Sequence, residues 1–333
     1  MLFRKKKDAT LNTFLKMNDN KKDALKAGEK HTAIVVGGAG FIGSNLTREL
    51  LERGYEVHVV DDLSGGFLEK VDKRAHFHKT DMRDYPKLLE TIKAAGPAYA
   101  LFHLAARPRV RYSIDFPQET HDVNVNGTFN VFLAAKEAGV RRIVYSASSS
   151  AYGDQPILPL REDMLPNPKS PYGAQKFFGE VYAKVFAEVY GIETVSLRYF
   201  NVYGPGQNVG GAYALVIGTF LQQKKDGKPM TITGDGTQSR AFTHVRDVVR
   251  ANILAAESPN VGKGEVINIG VSQDTSVNAI AELIGGPVVH IEARLEPKHT
   301  AADNSRAREL LGWKPEVKIE EGIAELKKIV GVE

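Results

Sequence analysis

An apolar run at Thr32–Val36 ends in Gly37-Gly38-Ala39-Gly40-Phe41-Ile42-Gly43, and a stretch of helical periodicity, Phe41–Arg53, begins inside that turn. Nothing else in the chain narrows the fold as much. Glycine at 37 and 40 lets the backbone turn tightly and come close to a pyrophosphate, and glycine at 43 lets the following helix lie against a sheet. The helix N-terminus then offers unpaired amides, and the positive end of its dipole, to an anion in front of it. Strand, turn and helix are the first half of a βαβ unit.

The residues up to 200 repeat this rhythm. Glu56–Val60, Tyr99–Leu104, Arg142–Tyr145 and Thr194–Leu197 read as further buried strands, being short and apolar with β-branched residues. Pro86–Ala95, Pro117–Ala138 and Pro171–Val189 read as the intervening helices, with proline where its fixed φ and missing donor are tolerated. The expected fold is α/β: a Rossmann-like doubly wound parallel sheet. After 200 the rhythm changes. Segment 203–212 is crowded with Gly, Pro, Asn and Gln, so it reads as a loop. Then come a helical stretch at 213–225, a strand at Met230–Thr233, a glycine turn at 234–236 and a helix at His244–Ala256. A strand at Val266–Ile269 and helices at Val277–Ile284 and Ser305–Leu311 complete the series. No low-complexity linker separates the halves. The chain therefore divides into an extension over 1–30, a dinucleotide-binding domain over 31–200, and residues 201–333, mainly a smaller C-terminal substrate-binding lobe partly interleaved with the first domain.

Composition bears on what the chain can do. It has no cysteine, which excludes disulfides, thiolate nucleophiles and cysteine-ligated metals. No apolar run approaches the ~18 residues of a membrane span, and a cytoplasmic enzyme is expected. The net charge of +4 belongs to one end. Residues 1–30 hold nine Lys/Arg against four Asp/Glu, and the remainder holds 35 against 36. The basic extension reads either as a solvated tail or, through Leu11, Phe14 and Leu15, as a short amphipathic helix for a membrane surface or partner. The body has no charge excess that would call for nucleic acid.

The second predicted strand runs into Asp61, where a carboxylate suits both hydroxyls of an adenosine ribose. A 2′-phosphate would meet an unpaired negative charge there, so the expected cofactor is NAD and not NADP. Asp81, after the next predicted strand, is suitably placed for the adenine side. His76, His78 and His103 show no ligand-like partners in the sequence, and no metal is expected.

The reacting groups lie further on. Tyr172-Gly-Ala-Gln-Lys176 places a phenol and an ammonium one helical turn apart, and a serine run begins 24 positions upstream at Ser148. A phenol ionises near pH 10, so a base working near neutrality must gain roughly 4 kcal/mol. One positive charge about 5 Å away supplies about 3 kcal/mol at an effective dielectric of ~20. Lys176 and an oxidised nicotinamide together suffice. Tyr172 is then the proton acceptor and Ser148 the donor that holds the reacting oxygen.

These strings resemble the extended short-chain dehydrogenase/reductase superfamily, in its nucleotide-sugar epimerase branch. Those that carry the resemblance are G-G-A-G-F-I-G, F-H-L-A-A (102–106), N-V-N-G-T (124–128), S-A-S-S-S-A-Y-G-D (146–154), S-P-Y-G-A-Q-K (170–176), L-R-Y-F-N-V-Y-G-P-G-Q (197–207) and G-D-G-T-Q-S-R-A-F-T-H-V (234–245). They span about residues 32–315 in family order. The resemblance implies a cofactor set of Gly37, Gly40, Phe41, Ile42, Gly43, Asp61, Asp81, Met82, Ala105, Ala106, Asn124, Tyr172, Lys176 and Tyr199. It implies a substrate set of Ser148, Asn201, Arg240, Arg294 and Thr300, where arginines suit an anionic diphosphate. Ala241 and Arg246 depart from the acids common at those positions in relatives. Arg107, Arg109 and Arg111 crowd one loop, either adding positive potential over a diphosphate or standing as an exposed basic loop.

Within the superfamily, dehydratases and decarboxylases place carboxylates just after the serine. Here Ser149 and Ser150 stand there, and a hydroxyl is no carboxyl acid or base at neutral pH. What the resemblance then implies is 4-epimerisation of a UDP-hexose by transient oxidation at C4, on plain hexoses and, with small Thr300 near C2, on N-acetylhexosamines. The alternatives are another nucleotide-sugar enzyme (uronate epimerase, decarboxylase or dehydratase) and a silent NAD-binding regulator, which would be expected to have lost Tyr172 or Lys176. Helices 117–138 and 171–189 resemble those through which relatives form homodimers.

Overall fold

The computed structural model describes residues 31–207, 215–293 and 298–333. The basic extension, most of the glycine-rich loop after 203 and Arg294 lie outside the described residues. The first half runs β1 Thr32–Val36, α1 Phe41–Glu52, β2 Glu56–Asp61, β3 His76–Lys79, α2 Tyr85–Ala94 and β4 Ala100–His103. It continues with α3 Val110–Asp115, α4 Pro117–His121, α5 Thr128–Glu137, β5 Arg142–Ser148, α6 Pro171–Tyr190 and β6 Glu193–Tyr199. The second half comprises β7 Val202–Tyr203, α7 Val216–Lys225, β8 Met230–Thr233, β9 Ser239–Arg240, β10 Thr243–His244, α8 Val245–Glu257 and β11 Lys263–Ile269. It closes with β12 Thr275–Ser276, α9 Val277–Ile284, β13 Val288–Ile291, β14 His299–Thr300, α10 Ser305–Leu311 and α11 Ile319–Val330.

Seven strands form one sheet in the order β11-β6-β5-β4-β1-β2-β3, and every neighbouring pair is parallel. This is the doubly wound order the sequence predicts. The chain reverses direction across the sheet at β1 and β4, which opens a crevice at the carboxyl ends of those strands. The central strands are buried on both faces, as a helix-covered parallel sheet requires, while edge strand β3 is largely open. On one face Val35, Val57, Val59 and Leu197 pack with Leu46, Leu50, Val248 and Trp313. On the other, Ile34, Leu101 and Ile143 pack with Leu88, Ile92, Phe132 and Phe186.

Two differences from the sequence reading concern the site. The helix expected over 117–138 is interrupted by a π-helical turn at Asp122–Gly127, a deformation that re-aims side chains and is frequent at functional sites. The strand expected at 266–269 starts at Lys263 and supplies the seventh strand of the main sheet, so residues beyond 200 return to the first layer. Helices α8 and α10 pack on the main sheet, while α7, β8, α9 and α11 gather around a separate core of Tyr203, Phe220, Leu221, Ile232, Ile280 and Ile323. A three-stranded sheet, β12-β9-β14, sits in this lobe.

Candidate active site

The glycine turn leads from β1 into α1, and its three glycines are needed for different reasons. Gly37 sits at φ +88°, and a β-carbon there would fall 2.4 Å from the Ala105 nitrogen. One at Gly43 would fall 2.1 Å from the Gly37 carbonyl oxygen. Both positions are closed by the protein itself. Gly40 caps α1 at φ −79°, and its β-carbon would meet only the Gly37 carbonyl oxygen, at 3.3 Å. Its smallness therefore keeps open the space in front of the helix, which is where a phosphate belongs.

That space is part of a cleft of about 340 Å³. Gly37, Gly40, Phe41, Ile42, Gly43, Asp61, Asp81, Met82, Ala105, Ala106, Tyr172, Lys176 and Tyr199 all line it. Asp61 ends β2 and accepts hydrogen bonds from the Ala39 amide at 3.0 Å and the Leu63 amide at 2.8 Å. Burial raises its pKa, and these two amides oppose the rise. Each carboxylate oxygen keeps a second lone pair for a ligand hydroxyl. Asp81 is held below the usual carboxylate range by Arg83, whose guanidinium approaches to 2.6 Å. With its open glycine turn and paired acids, the cleft fits a dinucleotide.

At the other end stand the reacting groups. Ser170 caps α6 by accepting from the Gly173 amide at 3.1 Å, and Pro171 opens its first turn, which fixes Tyr172 at the helix start. Ser113 of α3 receives the Tyr172 amide at 3.0 Å. Burial raises the Tyr172 phenol above its ordinary value, while the hydrogen-bonded Ser148 hydroxyl and the charge of Arg109 pull it down. Ser148, the last residue of β5, is buried and also accepts from the Ser150 amide at 3.2 Å. Lys176 is buried with its ammonium 4.7 Å from the centre of the Tyr145 ring. Burial lowers it to about 7, and Glu180, one turn on, opposes that. Glu180 in turn grips buried Arg198 through two bonds of 2.8 and 2.6 Å. Arg109 is thus a cation whose charge bears on the phenol, a contribution the sequence reading did not assign to it.

Of the three arginines expected in one loop, Arg107 and Arg109 line the cleft and Arg111 lies on α3. Arg107 is tied to Glu119 at 2.9 Å and to the Ser64 carbonyl at 3.0 Å, and Arg111 pairs with Asp115 at 3.0 Å. Arg109 lines the cleft at φ +105°, a backbone region costly for a residue with a side chain. Among the described residues its guanidinium has no ion pair or hydrogen bond. Asn124 is absent from the cleft wall, where the sequence reading put it among the cofactor residues. Buried on the π turn, it accepts from the Arg107 amide at 2.7 Å and donates to the Arg107 carbonyl at 3.1 Å and to Gln175 at 2.9 Å. Its place is to hold the Arg107–Arg109 loop against α6.

Of the substrate set, Asn201, Arg240 and Thr300 come together in the lobe. Asn201, at φ +36°, donates to the Ala241 carbonyl at 3.3 Å, and Thr300 of β14 is in register with Arg240 of β9. The Thr300 hydroxyl is buried with no hydrogen-bond partner among the described residues. The sequence reading missed a second wall of the cleft. Asn45 and Lys70 each bond a carbonyl of the loop after β7, Pro205 at 2.9 Å and Gly206 at 3.0 Å. That ties the loop across the phosphate turn. Contacts spanning 160 and 136 residues leave no trace in local spacing.

The NAD dependent epimerase/dehydratase family matches residues 33–270. The UDP-glucose 4-epimerase of Mycolicibacterium smegmatis is 38% identical over 304 residues, covering 87% of this chain and 96% of that protein. The crystal structure of UDP-glucose 4-epimerase from Thermotoga maritima with UDP-glucose superposes with a TM-score of 0.84 at 35% identity, over 90% of this chain and 99% of that one. UDP-N-acetylglucosamine 4-epimerase from Methanobrevibacter ruminantium, in complex with UDP-N-acetylmuramic acid, superposes with the same TM-score of 0.84 at 34% identity. It covers 90% of this chain and 98% of that one.

Proposed function

The chain belongs to the NAD dependent epimerase/dehydratase family, and from that premise we propose that it is a UDP-hexose 4-epimerase. Its substrates would be UDP-glucose and UDP-galactose, together with their N-acetylated counterparts. One observation carries this reading: Tyr172 lines a dinucleotide-shaped cleft and is hydrogen-bonded to Ser148, with no carboxylate of the cleft wall beside the pair. Among the described residues the acids on the cleft wall are Asp61, Asp62 and Asp81, all at the β2–β3 end. Elimination and decarboxylation need an acid or base beside the phenol; reversible oxidation does not.

NAD, when bound, supplies the acceptor to which C4 gives its hydride and from which it takes one back on the other face. The protein's own groups handle the proton and the geometry. Tyr172 accepts the proton of the C4 hydroxyl as the carbonyl forms, and returns it when the alcohol is restored. Ser148 donates to the same oxygen and fixes its distance from the phenol. Arg109 favours the phenolate, and Lys176 anchors the floor of the site between Tyr145 and Glu180. Asn201 and Arg240 are the expected diphosphate contacts, and Thr300 leaves room at C2 for an acetamido group.

The enzyme is proposed to act as a cytoplasmic homodimer. Phe178, Val181, Val185 and Val189 form an exposed apolar stripe along α6, with exposures from 40% to 65%. A stripe of that length calls for a covering surface. A silent regulator has no use for Tyr172 and Lys176 both. Proton NMR of UDP-glucose, UDP-N-acetylglucosamine and UDP-glucuronate, each incubated with purified protein and no added cofactor, tests the reading. The galacto anomeric signal is expected from the first two. Its absence there, with NAD supplied, would move the substrate elsewhere, and its appearance only from the glucuronate would make the enzyme a uronate epimerase. Tyr172→Phe should keep nucleotide and UDP-sugar binding while losing turnover by orders of magnitude.

A further inference from the structure

Sequence spacing gave His76 and His78 no ligand-like partners, but the parallel register of the sheet edge supplies them. Side chains alternate along a strand, so Glu56 and His58 share one face of β2. The register sets His58 beside His76 and Val60 beside His78 of edge strand β3. The Glu56 Oε1 atom is 3.6 Å from His58 Nε2 and 3.3 Å from His76 Nε2, and the three ligand atoms lie within 4.8 Å of one another. Both separations are long for an N–H···O hydrogen bond, which prefers ~2.9 Å. They match the edge of a tetrahedron, about 3.3 Å, built from metal–ligand bonds of about 2.0–2.1 Å.

The neighbours fit the same reading. His58 Nδ1 is 3.0 Å from His78 Nε2. With Nδ1–H donating to His78, the lone pair of His58 Nε2 is directed toward Glu56 and His76. An outer acceptor that fixes the tautomer of a ligating imidazole is the usual companion of a metal site. The rings of His58 and His76 are stacked with centres 4.7 Å apart, and those of His58 and His78 5.3 Å apart, so the histidines stand aligned. None of the four lines the cleft.

We propose that Glu56, His58 and His76 bind one divalent transition-metal ion, with zinc the best match to two imidazoles and one carboxylate, and that His78 orients His58. A fourth position would be left to water. The ion would clip edge strand β3 to β2, the strands that lead into Asp81 and Asp61 of the cleft.

The test is calorimetric titration of zinc chloride into the full chain, prepared without a histidine tag, treated with EDTA and freed of chelator. One equivalent is expected to bind with a dissociation constant in the micromolar range or below. His76 is exposed, so His76→Ala should fold, as its metal-free thermal transition would verify, and should weaken zinc at least tenfold. His78→Gln should weaken it less, and His290→Ala, an exposed histidine elsewhere, should leave it unchanged. Absence of saturable uptake by the unmodified chain, or uptake unaltered in His76→Ala, would overturn the assignment.

Discussion

Gly40→Ala separates what the fold requires of the phosphate turn from what a ligand requires. At φ −79° an alanine is comfortable, and its β-carbon meets one carbonyl oxygen at 3.3 Å. At a helix N-cap, alanine is poorer than glycine by roughly 0.5–1 kcal/mol. Stiffening the unfolded chain returns about 0.4–1 kcal/mol. The two nearly cancel, so global stability should change by less than about 1 kcal/mol. The methyl group nevertheless stands where a pyrophosphate must approach the α1 amides, so nucleotide retention and turnover should both collapse. Gly37→Ala is the contrast: φ +88° and a 2.4 Å approach to backbone should prevent folding or cost several kcal/mol. Urea unfolding followed by circular dichroism gives the first quantity. Absorbance of nucleotide released from denatured protein gives the second. A Gly40→Ala protein destabilised by more than about 2 kcal/mol, or one that holds NAD as tightly as the parent, would refute the reasoning.

Lys176→Met should abolish most activity yet stabilise the protein below neutrality. An ammonium whose pKa falls from 10.5 to about 7 on folding costs on the order of 5 kcal/mol when charged. The unfolded chain binds the extra proton between pH 7 and 10.5, so that penalty fades as pH rises through this window; a stability gap between parent and variant that ignores pH would contradict it. Arg109→Met should move the acid limb of kcat/KM upward by roughly one pH unit, the effect of ~1.4 kcal/mol of lost charge interaction on the phenol, while Arg109→Lys should restore much of it. A pH profile unmoved in Arg109→Met would detach that residue from Tyr172. Thr300→Tyr should suppress turnover of the N-acetylated sugar and spare the plain one, as coupled NMR rates for the two substrates would reveal. Val185→Glu, placed mid-stripe on α6, should give a monomer by light scattering; an unchanged mass would place the dimer contact elsewhere.

Most of the sheet was legible because its links are local; β11, which returns from beyond residue 200, is the exception. Strand, glycine turn and helix at 32–52 determine one βαβ half, and the apolar runs that follow can pack only as more of the same. Even the order of reacting groups follows, since Ser148 ends a strand and Tyr172 opens a helix that must cross beside it. What escaped was set by distant contacts. The π turn at Asp122–Gly127 has no signature of its own; on it Asn124 bonds Arg107 and Gln175 together, partners 17 and 51 residues away. The histidine cluster at the sheet edge depends on a register between strands whose histidines are some twenty residues apart. The second wall of the cleft depends on Asn45 and Lys70 reaching a loop far along the chain.

Charge shows the same division most sharply, because a sequence counts charges without their burial. From the spacing Tyr172-x-x-x-Lys176, the lysine looks like the cation that makes the phenol a base. In the folded chain both groups are driven toward neutrality: burial raises the phenol and lowers the ammonium to about 7. Lys176 is committed to the Tyr145 ring and to Glu180, which Arg198 already neutralises. Two neutral-leaning partners make a poor base unless positive charge arrives from outside the pair. Arg109, which lines the same cleft, adds such charge, at the expense of a left-handed backbone that any residue but glycine resists. That conformation persists because Asn124 and the Ser113 helix hold the loop on both sides. Loosening it by Asn124→Ala should therefore reproduce the pH shift of Arg109→Met while leaving the phenol and Ser148 in place.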